Sequence, residues 1–495
     1  MEALSIKEIV KAVEGVLICG NEQSMVTSVS TNSKEAKEGT LFVPIIGEKV
    51  DAHDFIESAL EQGAVATFTS KEIENIKNNE KGYIRVEDTV KALQLLAEYY
   101  RKKFTIPLIG ITGSVGKTTT KEMIAAALVT KKNVLKTAGN MNSQVGLPLT
   151  IFRIDREHEA AVIEMGMSEE GEMKKLAKIA KPTLAVVTNI GVSHIGQLGS
   201  KENIRKEKLN IIDEFGDAKL LSSGENREND FALYVNGDDT LLSEVLSYKE
   251  QQNSTLKGKT IDLTQDTFAK LANTQVQAFG TKENATYFAK NIKTLQGETH
   301  FTFVYPGGTE EVKLRVLGIH NVSNALAALA IAMKLGIAPS VSKIGLYEYQ
   351  PIAMRGQIHD KEGIQIIDDT YNASPDSMKS GINVLTELEG DLRRIAVLAD
   401  VLELGAASYA CHYEVGEYIA TLNRENRVDY VITIGNEAKA IAKAIQDKNI
   451  MIKTNSFENN VEAIEYLKTL IKSGDAILIK GSRGMHTDEI VEALK

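Results

Sequence analysis

The run Gly110-Ile111-Thr112-Gly113-Ser114-Val115-Gly116-Lys117-Thr118-Thr119-Thr120 follows an apolar segment at 107–111 and leads into an amphipathic stretch at 121–128. It commits this part of the chain to a strand, a tight loop and a helix. Three glycines let the backbone turn sharply and bring N–H groups against phosphate oxygens, and a helix starting near Lys117 points its positive dipole end at the same anion. Lys117 can reach the outer phosphates and the Thr118 hydroxyl can ligate Mg2+. The residues expected to hold a phosphorylated ligand are therefore Gly113, Ser114, Val115, Gly116, Lys117, Thr118 and Thr119. Ile111 stands five residues before Gly116, where the general phosphate-loop pattern has glycine, so the spacing marks a subtype.

A chain of 495 residues exceeds what one hydrophobic core serves, and its internal punctuation favours three domains. Residues 1–104 alternate short apolar strands with helical stretches, as in Thr40-Leu41-Phe42-Val43-Pro44 and Phe55-Ile56-Glu57-Ser58-Ala59-Leu60, and read as a smaller α/β N-terminal domain. Residues 105–349 carry the phosphate loop, then Ala160-Ala161-Val162-Ile163-Glu164 and Leu184-Ala185-Val186-Val187-Thr188-Asn189. That rhythm predicts a doubly wound, mostly parallel sheet with the loop at a strand's carboxyl end. Residues 350–495 resume the α/β alternation, with strands expected at 364–367, 394–398, 428–434 and 476–479, as in a Rossmann-like C-terminal domain. The polar stretch 248–259 has no apolar period and reads as an exposed, mobile insertion.

A formal charge of −10 argues against nucleic acid as the principal partner. No apolar run approaches the length that spans a bilayer, so no membrane insertion is expected; the N-terminus lacks a signal-peptide layout, which points to the cytoplasm. Cys19 and Cys411 are too few for a disulfide framework and read as reduced thiols.

Several polar residues stand where α/β sheets place their chemistry. Glu164 ends a buried-looking strand, where its carboxylate would meet Mg2+ held by Thr118. His194 follows the next strand, in Thr188-Asn189-Ile190-Gly191-Val192-Ser193-His194, and suits a ligand or a structural histidine equally. Lys206 and Lys208 lie two apart on a helical stretch and point to different faces. An ammonium about 4 Å from a metal would be repelled by roughly 4 kcal/mol per unit charge at an effective dielectric near 20, so both lysines read as solvated. Asn324 heads an Ala-rich helix at 325–335 and suits a cap or a ligand contact. Asp368-Asp369-Thr370-Tyr371-Asn372-Ala373-Ser374-Pro375 and Lys480-Gly481-Ser482-Arg483-Gly484 each follow an apolar strand, another position for ligand contact.

Taken in chain order, seven segments make this sequence resemble the Mur ligases of cell-wall synthesis over nearly its full length. They are Gly116-Lys117-Thr118-Thr119-Thr120-Lys121-Glu122, Asn140-Met141-Asn142-Ser143-Gln144-Val145-Gly146-Leu147-Pro148, Glu164-Met165-Gly166, His320-Asn321, Asp369-Thr370-Tyr371-Asn372-Ala373, Leu402-Glu403-Leu404-Gly405 and Lys480-Gly481-Ser482-Arg483-Gly484. The resemblance implies an N-terminal domain for the UDP end of a substrate, a central ATPase domain and a C-terminal domain that closes with an incoming dipeptide. It also implies an ATP- and Mg2+-dependent amide ligase that joins D-alanyl-D-alanine to UDP-N-acetylmuramoyl-tripeptide through an acyl phosphate, acting as a monomer.

Roles carry over by matching position. Lys117 and the loop amides would hold the ATP phosphates, Thr118 and Glu164 one Mg2+, and Glu164 with His194 a second. Lys208 matches a lysine that CO2 converts to a carbamate, which turns the repelled cation into an anion and completes the catalytic set Lys117, Glu164, His194 and Lys208. Asn321, Asn324, Arg355 and Asp369 fall to the nucleotide, with His320 nearby, and Ser33, Asn140, Asn142, Ser143 and Asn372 to the substrates. The chain departs from the family at Asn32-Ser33-Lys34, usually Asp-Ser-Arg, at Ser143 and Ser374, where asparagine is common, and at Ala399, usually glycine. The alternatives are a same-fold ligase with another acceptor, of the folylpolyglutamate type, and a nucleotide-hydrolysing switch or motor; no Asn-Lys-x-Asp guanine motif supports the latter.

Overall fold

A computed structural model describes residues 1–495 except 73–75, 77–78, 216–230, 253–266, 268–269, 273, 423–426 and 449–450. Three large sheets follow one another along the chain, with a short antiparallel pair, Leu4–Ser5 and Met25–Val26, near the N-terminus. The first sheet orders its strands Val16–Cys19, Gly82–Arg85, Ala66–Thr69, Thr40–Phe42 and Ser28–Ser30, all parallel except the first pair. The strand Thr40–Phe42 and the helix Ile56–Glu61 fall where the sequence predicts them.

The second sheet has nine strands and positions the phosphate loop. Third from one edge, β1 (Leu108–Thr112) lies between β2 (Ala160–Glu164) and β3 (Leu184–Val187). All three are buried along their whole length and almost wholly apolar, the pattern of parallel strands covered on both faces. Val134–Lys136 closes one edge, while β4 (Ala232–Asn236), Gln275–Gly280 and Tyr287–Leu295 extend the other in parallel before two antiparallel strands, Glu298–Tyr305 and Gly308–Leu314. Register pairs Glu164 with Ile111 and Val187 with Thr112. The carboxyl ends of β1, β2 and β3 therefore finish level, and the loops that follow share one end of the sheet. Helices α1 (Lys117–Leu128), α2 (Lys201–Leu209) and α3 (Ile319–Lys334) follow, with α1 packed on α3.

The third sheet orders Gln357–Lys361, β5 (Ile364–Asp368), β6 (Asp475–Lys480), Arg393–Ala399, Tyr430–Ile434 and Lys453–Phe457, parallel after an antiparallel first pair. Helix α4 (Pro375–Glu387) follows β5 and starts from a capping box in which Ser374 and Ser377 exchange hydrogen bonds. The mixed α/β architecture with mostly parallel sheets is the one expected.

Three local expectations need correction. Gly110 belongs to β1, where a Cβ would lie 2.9 Å from Met165 Sδ, so it serves strand packing and only Gly113 and Gly116 serve the loop. Helix α3 begins at Ile319 after Gly318, whose φ is 96°, so Asn324 lies inside the helix and caps nothing. Residues 248–252 continue the helix Thr240–Gln252 instead of opening a loop, and 253–259 lie outside the described residues.

One continuous core joins the first sheet to the second through Tyr100, Phe104, Leu108 and Ile163. Arg101 is fully buried at this junction. Its Nε donates to Ala180 O at 2.9 Å, Nη1 to Phe104 O at 2.7 Å and Nη2 to Ile106 O at 3.1 Å, so one planar fork satisfies carbonyls from both segments. Burial lowers its pKa to about 10, which leaves it charged at neutral pH. Arg101→Ala strands these carbonyls and is expected to cost about 3 kcal/mol in urea unfolding, with Arg101→Lys recovering little of it. An unchanged unfolding midpoint in the alanine variant contradicts that role.

Candidate active site

Gly113 and Gly116 have φ of 147° and 84°, conformations that a Cβ disfavours. At Gly113 an added Cβ would also come 1.9 Å from Thr188 Oγ1. The loop after β3 clamps the loop after β1. Ser114 N–H donates to Asn189 O at 3.1 Å, Val115 N–H to Asn189 Oδ1 at 2.8 Å, and Thr188 Oγ1 to Val115 O at 2.6 Å. Helix α1 then starts at Lys117, whose Nζ folds back to donate to Gly113 O at 2.8 Å. Burial lowers the Lys117 pKa; Glu164 opposes that shift and Arg355 adds to it.

Glu164 is 3% exposed. Its carboxylate accepts from Thr118 Oγ1 at 2.9 Å and from Asn142 Nδ2 at 2.8 Å, both neutral donors. Interior charge is ordinarily balanced by a paired charge or a metal, so a carboxylate beside a threonine hydroxyl at this loop suits a hard divalent cation. Thr120 Oγ1 donates to Asn324 Oδ1 at 2.9 Å and Asn324 Nδ2 to Asn321 Oδ1 at 3.2 Å, which fixes α1 against α3.

These groups open on a cavity of about 660 Å³, within the range of small-molecule sites. Its wall includes Ser114, Val115, Gly116, Lys117, Thr118, Thr119, Asn140, Asn142, Glu164, Asn321, Asn324, Arg355, Asp369 and Asn372, all expected from sequence. On the side built from β5 and β6, Lys480 Nζ donates to Asp369 Oδ2 at 2.6 Å and to Asn372 O at 3.0 Å. The Arg355 guanidinium lies over the Tyr371 ring at 3.9 Å, and desolvation keeps the pKa of His320, also on the wall, below its ordinary value. Gly-rich turn, helix N-terminus, lysine, and threonine beside glutamate together fit a nucleotide triphosphate with its Mg2+.

Five expected residues lie off this wall. Gly113 forms the base of the loop. Ser143 is exposed, and its Oγ accepts from Gly146 N–H at 3.3 Å. Ser33 lines a separate cavity of about 500 Å³ with Asn32, Lys34, Phe55 and Gln62. His194 sits at φ 61° with Nδ1 3.1 Å from Glu403 Oε2, though not aligned for a hydrogen bond. Burial lowers its pKa, with Glu403 opposing.

Lys208 corrects the solvated reading: it is 2% exposed on α2, and burial, then Lys117, push its pKa well below the ordinary lysine value. Lys206 is half-buried. Lys117 acts electrostatically on both Lys208 and His194, and Lys208 on His194, so the three share a neighbourhood. Among the described residues no three His, Cys, Asp or Glu side chains converge as a metal set, and of the expected ligands Thr118 and Glu164 alone are in contact.

Family models cover most of the chain: a Mur ligase middle domain at 111–268 and 260–332, a Mur ligase glutamate ligase domain at 354–483, and a Mur ligase family catalytic domain at 25–101. The chain belongs to the Mur ligase family. It is 35% identical over 492 residues to the UDP-N-acetylmuramoyl-tripeptide–D-alanyl-D-alanine ligase of Bacillus subtilis, covering 99% of this chain and 98% of the relative. The enzyme of that name from Escherichia coli is 32% identical over 472 residues, 94% and 93% of the two chains. Among solved structures, MurF from Acinetobacter baumannii superposes with a TM-score of 0.84 at 28% identity over 100% of this chain and 99% of that one. MurF from Thermotoga maritima, in complex with ADP, gives 0.77 at 28% identity over 94% and 96%.

In this Mur ligase, sequence reasoning gave no role to Asn189, although its place at the end of a strand was a usable signal. Lys480 was noted only as part of a segment placed for ligand contact; it is buried, and its half-buried partner Asp369 lies 111 residues away, so no local pattern reveals the pair.

Because the folded chain disfavours the Lys208 ammonium, the unfolded chain binds that proton more tightly, and stability rises with pH between the lowered folded pKa and the ordinary lysine value. Lys208→Met is expected to raise the urea midpoint in carbonate-free buffer, most at the acid end of that window and progressively less toward about pH 10. A methionine variant no more stable than wild type at neutral pH contradicts the burden of a buried amine.

Proposed function

We propose that this chain joins D-alanyl-D-alanine to the terminal carboxylate of UDP-N-acetylmuramoyl-tripeptide with cleavage of ATP, a step of peptidoglycan precursor synthesis. The carrying observation is one cavity shared by the phosphate loop, the Thr118–Glu164 pair and the Asp369–Lys480–Asn372 cluster, in a chain matched end to end by relatives named for that reaction. In this reading residues 1–104 hold the UDP end through the cavity at Ser33, residues 105–349 hold ATP, and residues 350–495 present the dipeptide.

A carboxylate is a poor electrophile and a protonated amine is no nucleophile. Lys117 and the amides at 113–119 would hold the ATP phosphates, with Asn321, Asn324, Arg355 and Asp369 around the rest of the nucleotide. Mg2+ held by Thr118 and Glu164 would neutralise charge on the transferring group. Asn140, Asn142 and Asn372 would orient the acceptor carboxylate and the dipeptide; Ser143 faces solvent and is left out of that set.

Transfer of the γ-phosphoryl group to the carboxylate gives an acyl phosphate and ADP. The dipeptide amine then attacks the acyl carbon, the C–N bond forms, the C–O bond to phosphate breaks, and phosphate departs. Closure of the cavity protects the acyl phosphate from water. Burial favours the neutral amine of Lys208, the form that combines with CO2. A carbamate there would place an anion near His194 for a second Mg2+. The protein would act as a cytoplasmic monomer; no helix among the described residues is long and apolar enough to cross a membrane.

The test is ADP release with UDP-N-acetylmuramoyl-tripeptide, with and without D-alanyl-D-alanine. Fast turnover is expected only with both, single amino acids should not replace the dipeptide, and Thr118→Ala should lower kcat by about 100-fold. ATP turnover independent of both substrates contradicts the reading.

A further inference from the structure

His53 lies far along the sequence from the phosphate loop, yet its side chain is 5% exposed and both ring nitrogens are engaged. Its backbone N–H donates to Asp51 Oδ1 at 2.9 Å, and its Nδ1 lies 2.7 Å from the same oxygen. On the other side of the ring, Nε2 accepts the backbone N–H of Ser70 at 3.2 Å, with Ser70 Oγ also 3.2 Å away. An acceptor at Nε2 assigns the ring proton to Nδ1, which donates it to Asp51. Lys71 pairs with the second Asp51 oxygen. The imidazole thus ties the short helical turn Ala52–Phe55 to the residue that follows the strand Ala66–Thr69.

That turn supplies one wall of the second cavity through Ala52 and Phe55. Phe55 is 42% exposed and lines this cavity together with Lys34, Asn32 and Gln62; the two amides also bond within the protein, Asn32 to Glu35 and Lys34 N–H, Gln62 to Ser58. An aromatic face, amides and a cation match a planar base, its polar edge and a phosphate. Among the described residues the turn is also held by the backbone pairs Ala52 N–H to Ile45 O at 3.1 Å and Gly47 N–H to Val50 O at 2.9 Å, by the Lys71–Asp51 ion pair, and by the buried start of the helix Ile56–Glu61 that continues it. Of the two side-chain links from the turn to the end of the strand, Lys71 is half exposed at 52%, whereas the His53 bridge is buried and therefore the stiffer of the two.

We propose that His53 is a positioning residue for the nucleotide end of the UDP-linked substrate: by linking Asp51 to the Ser70 amide it holds Phe55 in place. The inference rests on the proposed assignment of this cavity to the UDP moiety. His53→Asn keeps a donor for Asp51 but is too short to reach the Ser70 amide, whereas His53→Gln restores an acceptor near the Nε2 position.

Steady-state kinetics of the full-length enzyme tests it. His53→Asn should raise KM for UDP-N-acetylmuramoyl-tripeptide about tenfold, with kcat and the KM values for ATP and dipeptide within about twofold, and His53→Gln should return that KM to within about threefold of wild type. A purely structural role would lower the active fraction, hence apparent kcat, without moving one KM alone. An unchanged KM in folded His53→Asn, or equal rises in all three KM values, overturns the proposal. Should the asparagine variant not fold, Ser70→Pro, which removes the amide that His53 Nε2 accepts, decides: a rise in this KM alone supports the proposal and an unchanged KM overturns it. If Lys34→Ala raises this KM and His53→Asn does not, His53 has no such role and the cavity assignment survives. If neither moves it, the cavity is not the UDP site and both fall.

Discussion

A carboxylate buried at the end of β2 with only neutral hydrogen-bond donors on it sets the terms for the rest of this molecule. Glu164 meets Thr118 and Asn142, neither of which can cancel its charge. Lys117, the nearest loop cation, bonds a backbone carbonyl instead, and Lys208 is buried on a neighbouring helix where its ammonium is disfavoured. Charges held this way are costly in the free protein, and in the proposed reaction a metal and phosphates would compensate them.

The fold makes that arrangement possible. β1 lies between β2 and β3 with their carboxyl ends level, so three loops converge, and Asn189 locks the third against the first. The C-terminal sheet supplies the facing wall through Asp369 and Lys480, and its first helix approaches closely enough that a Cβ on Gly191 would lie 2.4 Å from Asp376 Oδ2. A second contact joins His194 and Glu403, each in a left-handed backbone conformation unusual for side chains of their size. Both contacts fall on the β3 loop, so movement of the third sheet against the second would be felt at the phosphate loop.

What was legible in the sequence was local. The loop, the helix after it and Glu164 at a strand end all lie within short windows whose periodicity and glycine placement carry the signal. Lys208 was misread as solvated because its burial comes from tertiary packing on an otherwise polar helix, whose sequence carries no apolar period. Asn324 was open between cap and ligand because the helix start depends on Gly318, six residues earlier, and on a partner, Thr120, some two hundred residues away. Ser143 fits the family order of motifs yet is exposed and lies off the wall of the main cavity, so motif order alone does not place a side chain on that wall.

The most direct measurement follows oxygen. Tripeptide labelled with 18O in both terminal carboxylate oxygens, incubated with ATP and D-alanyl-D-alanine, should place one labelled oxygen in the released inorganic phosphate and leave one in the new amide. Phosphate free of label, while amide forms at the normal rate, would show that the γ-phosphoryl group never reaches that carboxylate and would contradict the central claim.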